Sequence, residues 1–456
     1  MRSGRILAGC LLAALVPAGC ARDGSSYEGC RDCNLVVISV DTLRADHVGA
    51  LGYAKATTPN IDGLAARGVL FENAIAQSSW TRPAHMSIFT GLHPREHGFV
   101  ALADSRRLED SIPTLASVLR GHGYTTAAFV GGVNMSASFG FDQGFDVYRS
   151  NGKYFRDNLE DARYWLDLNA DRRFFLFFHG YDAHTPYRND PIDRQSLALP
   201  ARPPETGLGT TCRAEGPVSR VDPYIAEYDG SVHRADRYVG KMVAELEARR
   251  LLDHTVLIVL SDHGEEFLEH GRCFHIATLY REVLQVPVLI VAPGLAPRRV
   301  PHLVSASVTI APTAMELLGL DDHPFPAMSL VAAAMGGAAP AEPVVSETER
   351  NAERKGDGRV IALTEASERL FHWSTPDRLL LFDWTSDPRE EHGMADSPHL
   401  SILAARLEAW TASHPARSPS RRRTPADKQA PAASSSNGDS GVPDDREDLR
   451  SLGYLE

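Results

Sequence analysis

Three apolar runs in this chain stop on side chains that bind cations or move protons. Residues 34–40 (NLVVISV) run into Asp41-Thr42, and 255–264 (TVLIVLSDHG) ends on Ser261-Asp262-His263-Gly264. Residues 174–178 (FFLFF) lead into His179, Asp182 and His184. Near-continuous apolar stretches of this length, free of Gly and Pro, read as strands buried on both faces of a parallel sheet. In open α/β sheets ligands gather at the carboxyl ends of such strands. Two carboxylates and an imidazole left unpaired there would be costly, and a single divalent cation would satisfy Asp41, Asp262 and His263 together. Hard oxygen donors beside one nitrogen donor, with no Cys close by, suit Mg²⁺, Ca²⁺, Mn²⁺ or Zn²⁺.

The elements that must position these groups follow from local patterns. Residues 59–67 read as a short helix closed by Gly68, and 78–92 (SSWTRPAHMSIFTGL) hold a helix whose first turn accepts Pro83. An amphipathic helix is expected over 112–120 before Gly121, then a strand over 124–130. Over 226–252, Val232, Ala235, Val239, Met242, Val243 and Leu246 recur at helical spacing. A strand at 286–291 precedes Pro293-Gly294, and a helix over 309–318 stops at Gly319. Strand–helix alternation without a short repeat predicts an α/β fold with a doubly wound, mostly parallel sheet flanked by helices, over 34–335. From Pro343 the pattern changes. Alternating runs at 359–364, 369–374 and 378–384, then a helix near 400–410, predict a small antiparallel α+β subdomain over 343–412. Residues 415–445, rich in Pro, Ser, Arg, Asp and Ala, read as a disordered tail. Leu449, Leu452, Tyr454 and Leu455 then restore apolar character, so the last residues are expected to dock back.

The net charge of −12 is spread along the 456 residues and excludes nucleic acid as a bulk partner, because phosphate contacts need a basic surface. Residues 1–20 stand apart. Arg2 and Arg5 precede an apolar run over 6–16 that ends in Pro17-Ala18-Gly19-Cys20, the layout of an export signal too short to span a bilayer. Ala-Gly-Cys resembles a bacterial lipoprotein signal, which implies lipidation of Cys20 and a periplasmic or extracellular protein anchored to the membrane. Of the other cysteines, the Cys30-x-x-Cys33 pair is expected to form a tether or stay idle, since no second pair follows at zinc-site spacing. Cys212 and Cys273 are expected to bridge two loops near the site.

Several segments resemble, in order, the sulfatase family of the alkaline-phosphatase-like superfamily. They are VISVDTLRADHVG (37–49), SSWTRPAHMSIFTGLHPREHG (78–98), FHGYDAHTPY (178–187), YDGSVHRADRYVGKMV (228–243), LSDHGEEFLEHG (260–271), TLYREVLQVPVLIV (278–291) and LFDWTSDPREEHGMA (381–395). The resemblance implies that Asp41, Asp262 and His263 are metal ligands, with Thr42 where many members have a second Asp. The family's nucleophile segment is Cys (or Ser)-x-Pro-x-Arg. Here Thr81 stands at the position oxidised to formylglycine and His85 replaces the Arg. A Thr cannot be converted to that aldehyde, so no formylglycine is expected. A Thr hydroxyl activated by a metal can still attack phosphorus. His184 resembles the residue that contacts the substrate oxyanion or leaving group, and His275 lies near the family's active-site Lys. The resemblance therefore implies a metal-dependent hydrolase of a sulfate or phosphate ester of a small molecule, glycan or lipid. Thr81 would be its nucleophile, with His85 and His184 at the ester oxygens. Two alternatives stay open: an envelope transferase of phosphoethanolamine or glycerophosphate type, and an inactive family member that binds an anionic ligand.

Overall fold

The computed structural model describes residues 27–417 apart from 103, 105, 203–220 and 350–357. The signal at 1–20 with Cys20, the tail at 415–445 beyond residue 417, the docking segment 447–456 and Cys212 lie outside the described residues. Cys30 and Cys33 form a disulfide, with Cα atoms 5.3 Å apart.

The main sheet is built from β1 (Asn34–Val40), β2 (Val69–Ile75), β3 (Thr125–Gly131), β4 (Val147–Gly152), β5 (Phe174–Gly180) and β6 (Thr255–Leu260). After a small hairpin of β7 (Glu266–Phe267) and β8 (Cys273–Phe274), β9 (Gln285–Val291) and β10 (Arg298–Ser305) complete it. The order of these eight strands is β10-β2-β9-β6-β1-β5-β3-β4. Only β9 runs against its neighbours, antiparallel to both β2 and β6, so the sheet is mixed but mostly parallel.

The apolar runs are continuous because alternate side chains enter two different cores. From β1, Leu35 and Val37 join one core while Val36, Ile38 and Val40 join the other. In β6 the split is Val256, Ile258 and Leu260 against Leu257 and Val259. Helices cover each face. Phe155–Asn169 and Asp222–Ala248 pack on one side, and Thr81–Thr90 and Ile310–Leu317 on the other. Two boundaries differ from expectation. The helix expected from 112 begins at Leu115, because Thr114 accepts the Ser117 backbone N–H as its N-cap. The long helix starts earlier, at Asp222, since Pro223 fits its first turn.

The C-terminal sheet has four antiparallel strands in the order β11 (Val344–Glu349), β12 (Arg359–Glu365), β13 (Glu368–Ser374) and β14 (Asp377–Asp383). The helix Pro398–Ser413 covers one face, with Leu403, Leu407 and Trp410 on Leu363, Leu370 and Leu381. Phe371 and Phe382 carry the other face into the core of the main sheet.

Candidate active site

Strands β1 and β6 are parallel neighbours with Ser39 opposite Leu260, so both chains leave the sheet side by side. Each then turns. Thr42 adopts a left-handed conformation (φ 57°), and its N–H donates to Asp262 Oδ1 at 3.2 Å. Ser261 Oγ ties the loops again, accepting the Leu43 N–H at 2.9 Å and donating to the His263 carbonyl at 2.8 Å. Asp41, Asp262 and His263 are thereby gathered, buried, with one donor atom of each within 4.8 Å of the others.

Those residues fit a cation. Asp41 Oδ1 and Asp262 Oδ2 are buried carboxylate oxygens without a hydrogen-bond partner among the described residues. Burial pushes the Asp41 carboxyl up to about 7 and raises that of Asp262, the latter helped by the charge of Asp41. Two such acids are stable in ionised form beside a bound positive charge. His263 is set up for the same purpose. Its Nδ1 donates to the Gly264 carbonyl at 2.9 Å, which leaves the Nε2 lone pair facing the acids.

Thr81 opens the helix Thr81–Thr90, and its Oγ1 donates to Asp41 Oδ2 at 3.3 Å and lies 3.4 Å from His263 Nε2. The hydroxyl therefore sits beside the cation trio and at a helix N-terminus, where backbone N–H groups favour anions. His85, one turn on, is brought to the centre. Its Nδ1 donates to the Thr81 carbonyl at 3.0 Å and lies 3.3 Å from Asp262 Oδ2, while its Nε2 accepts from Ser39 Oγ at 2.9 Å. Burial lowers its pKa to about 3, so the ring is neutral. With both nitrogens bonded to protein groups, His85 braces the helix on β1.

Three more side chains complete the wall. His179, at the end of β5, accepts the Gly131 N–H at Nδ1 (3.2 Å) and so donates from Nε2 to Asp41 Oδ2 at 3.2 Å. His184 donates from Nδ1 to the Thr185 carbonyl, and its ring lies 5.0 Å from that of His275. His275 in turn is 4.5 Å from the His263 ring and bonds through Nδ1 to Glu265 Oε1 at 2.9 Å. Glu265 is buried as well, takes the Tyr187 hydroxyl on Oε2 at 3.0 Å, and is pushed up by burial to about 8. Asp41, Asp262, His263 and Thr81 thus lie together at the ends of β1 and β6, and His184 stands beyond them, its ring against that of His275. The contacts of His179 and of the Glu265–His275 pair are additions that strand patterns alone did not assign; the signal for His179 was its place at the end of an apolar run.

Residues 33–320 match the family model described as Sulfatase. The chain is similar to the Delta 4,5-hexuronate-2-O-sulfatase of Bacteroides thetaiotaomicron, 22% identical over 86% of this chain and 90% of that protein. It is also similar to the choline-sulfatase of Rhizobium meliloti, 23% identical over 83% and 85% of the two chains. Among solved structures, the phosphonate monoester hydrolase of Agrobacterium radiobacter superposes with a TM-score of 0.69 at 20% identity, covering 84% of this chain and 96% of that one.

Proposed function

Because this chain belongs to the sulfatase family, we propose that it hydrolyses sulfuric or phosphoric esters with Thr81 as the nucleophile and one divalent cation held by Asp41, Asp262 and His263. The observation that carries this is the place of the Thr81 hydroxyl, 3.3 Å from Asp41 and 3.4 Å from His263 Nε2. When bound, the cation lowers the hydroxyl pKa and neutralises charge that develops on the ester oxygens.

The chain's own groups do the rest. The Thr81 proton leaves toward Asp41 Oδ2, the atom it already faces. The Thr81 oxygen forms a bond to phosphorus as the bond to the leaving alcohol breaks, and the alcohol oxygen takes up a proton. Water then cleaves the Thr81 ester, releasing phosphate and restoring the hydroxyl. The role assigned to His184 is to exchange a proton through Nε2 with the leaving oxygen and then with water, as His commonly does, while Glu265 holds the ring of His275 beside it. His179 and His85 act through other residues, orienting Asp41 and the Thr81 helix. Phosphorus is favoured over sulfur, since a Thr cannot supply the aldehyde hydrate by which formylglycine expels sulfate. The names of the relatives, which include glycan and small-molecule sulfatases and a phosphonate hydrolase, support an ester of this size.

Purified protein, with and without added Mg²⁺, Ca²⁺, Mn²⁺ or Zn²⁺, assayed on aryl sulfates and on phosphate mono- and diesters, tests the proposal. Metal-dependent phosphoester turnover that falls at least a hundredfold in Thr81→Ala is expected. Turnover unaffected by that substitution overturns the role of Thr81, and dominant aryl-sulfate turnover overturns the preference for phosphorus.

A further inference from the structure

The hairpin of β7 and β8 follows directly on the loop that carries His263, and it gathers three further side chains outside the cation trio. Glu266 in β7, His270 in the turn and Glu282 in the short helix Arg281–Leu284 each offer one donor atom, all within 4.8 Å of one another. Glu266 is 1% exposed, and the side chains of His270 and Glu282 are 10% and 6% exposed. The imidazole is held firmly. Its ring stacks on Tyr280 with centroids 3.5 Å apart, and its Nε2 lies 3.3 Å from the Glu390 carbonyl. A carbonyl only accepts, so Nε2 carries a hydrogen, and Nδ1 is the atom that meets Glu282 Oε1, at 2.7 Å.

Both carboxylates keep room for another partner. Glu282 lines a cleft of about 740 Å³ that runs from Asp46 and Glu72 to Glu391, and among the described residues its Oε2 meets no donor. Glu266 Oε1 takes the His270 and Arg272 N–H groups, whereas Oε2 takes the Thr278 hydroxyl at 2.9 Å and keeps a second lone pair. Hydrogen bonds of this kind commonly hold metal-binding carboxylates in place. Of the arginines that line the cleft, Arg44, Arg299 and Arg389 face carboxylates, and Arg281 donates to Gln285 and to the Trp384 carbonyl. Burial and the charge of Glu282 push the Glu266 carboxyl up to about 7, so near neutral pH the cluster holds a proton there as well as on His270. A dication that displaces both leaves the net charge of the cluster unchanged.

We propose that Glu266, His270 and Glu282 form a second metal site, which takes Zn²⁺ with a water of the cleft as its remaining ligand. One imidazole beside two carboxylates suits this ion, which favours four ligands and leaves one position open here. The ion clamps the β7–β8 hairpin onto the helix Arg281–Leu284, whose backbone holds Gly264 next to His263. Its duty is to fix the loop that presents His263, apart from any chemistry at Thr81.

Zinc uptake without turnover tests the site. In Asp262→Asn/His263→Gln protein, which lacks the first set of ligands, calorimetric titration with ZnCl₂ is expected to show one Zn²⁺ per chain. That affinity is expected to fall at least tenfold when His270→Gln or Glu282→Gln is added. In the otherwise wild-type chain, freed of metal and dialysed against ZnCl₂, each of these two substitutions is expected to remove one bound Zn²⁺, counted by elemental mass spectrometry. This second measurement decides the matter if the double variant does not fold. Zn²⁺ bound equally well with and without His270 and Glu282, or no loss of zinc from the single variants, overturns the site. Neither measurement involves an ester, so the site and the hydrolase reading fail separately.

Discussion

Backbone partners decide where protons sit on the histidines of this site. The Gly264 and Thr81 carbonyls draw the proton of His263 and His85 to Nδ1, whereas the Gly131 N–H drives that of His179 to Nε2, against Asp41. His270, outside the cation trio, behaves differently. Burial would lower its pKa, but the hydrogen bond from Nδ1 to Glu282 Oε1 (2.7 Å) and that carboxylate's charge dominate and raise it from 6.5 to about 9. A folded-state pKa above the unfolded one means that the stabilisation is complete below 6.5 and is lost as pH rises through 9. Melting temperature followed from pH 6 to pH 10 is therefore expected to fall between about 6.5 and 9 and to level off above, and His270→Gln is expected to flatten the fall. An equal slope in the variant would show that another group is responsible.

At the scale of elements, the loop after β6 is held by contact with the segment before β9. Gly264 donates its N–H to the Val283 carbonyl at 2.9 Å, and a Cβ on it would fall 2.0 Å from the Glu282 carbonyl oxygen. Its neighbour His263 can take its place only if that backbone stays close. Gly264→Ala is expected to cost about 1–3 kcal/mol, the usual penalty of overpacking, and to weaken metal binding as His263 shifts. Thermal unfolding and a metal titration on the same variant check both parts. Unchanged metal affinity would mean that the loop can yield without moving its ligand. Edge position explains why patterns missed β4 and β10, though the interior strand β2 and the helix Phe155–Asn169 were missed as well. β10 carries Arg298, Arg299 and Pro301 and shifts register between Val300 and Leu303, and β4 at the other edge has a mostly part-exposed surface. Edge strands lack one neighbour and tolerate charge and Pro, so they lose the apolar continuity that marks central ones.

Over the whole molecule, the C-terminal sheet is coupled to the site through buried charge. Arg369 Nη1 donates to Glu390 Oε1 at 2.8 Å, and Glu390 Oε2 accepts the Arg281 N–H at 2.8 Å. Arg281 begins the short helix Arg281–Leu284, whose Glu282 carbonyl faces Gly264. Among the described residues no helix is long and apolar enough to cross a membrane. On the strength of the Ala-Gly-Cys signal alone, membrane association is proposed through Cys20, with export by the segment before it. In a bacterial host, Cys20→Ser is expected to move the protein from the detergent-soluble membrane fraction to the soluble exported fraction, and mass spectrometry of the wild-type N-terminus is expected to find lipid on Cys20. An unmodified Cys20, or an intact residue 1–20 segment on the exported protein, would refute the anchor.

The strand ends carrying Asp41, Asp262 and His263 were legible in the chain itself, because a strand buried on both faces must be apolar throughout and a polar stop then stands out. The helix bearing Thr81 was legible for a similar reason, from its spacing and from Pro83. Direction and distance were not. The same apolar pattern serves a parallel strand or the reversed β9, and a His beyond a strand end can turn toward either side. Only the tertiary structure decided that His85 faces Ser39, that His179 bonds Asp41, and that Glu266 and His270 meet Glu282. Those relations join segments up to 138 residues apart, and they depend on side-chain direction and hydrogen-bond partners, which local periodicity does not encode.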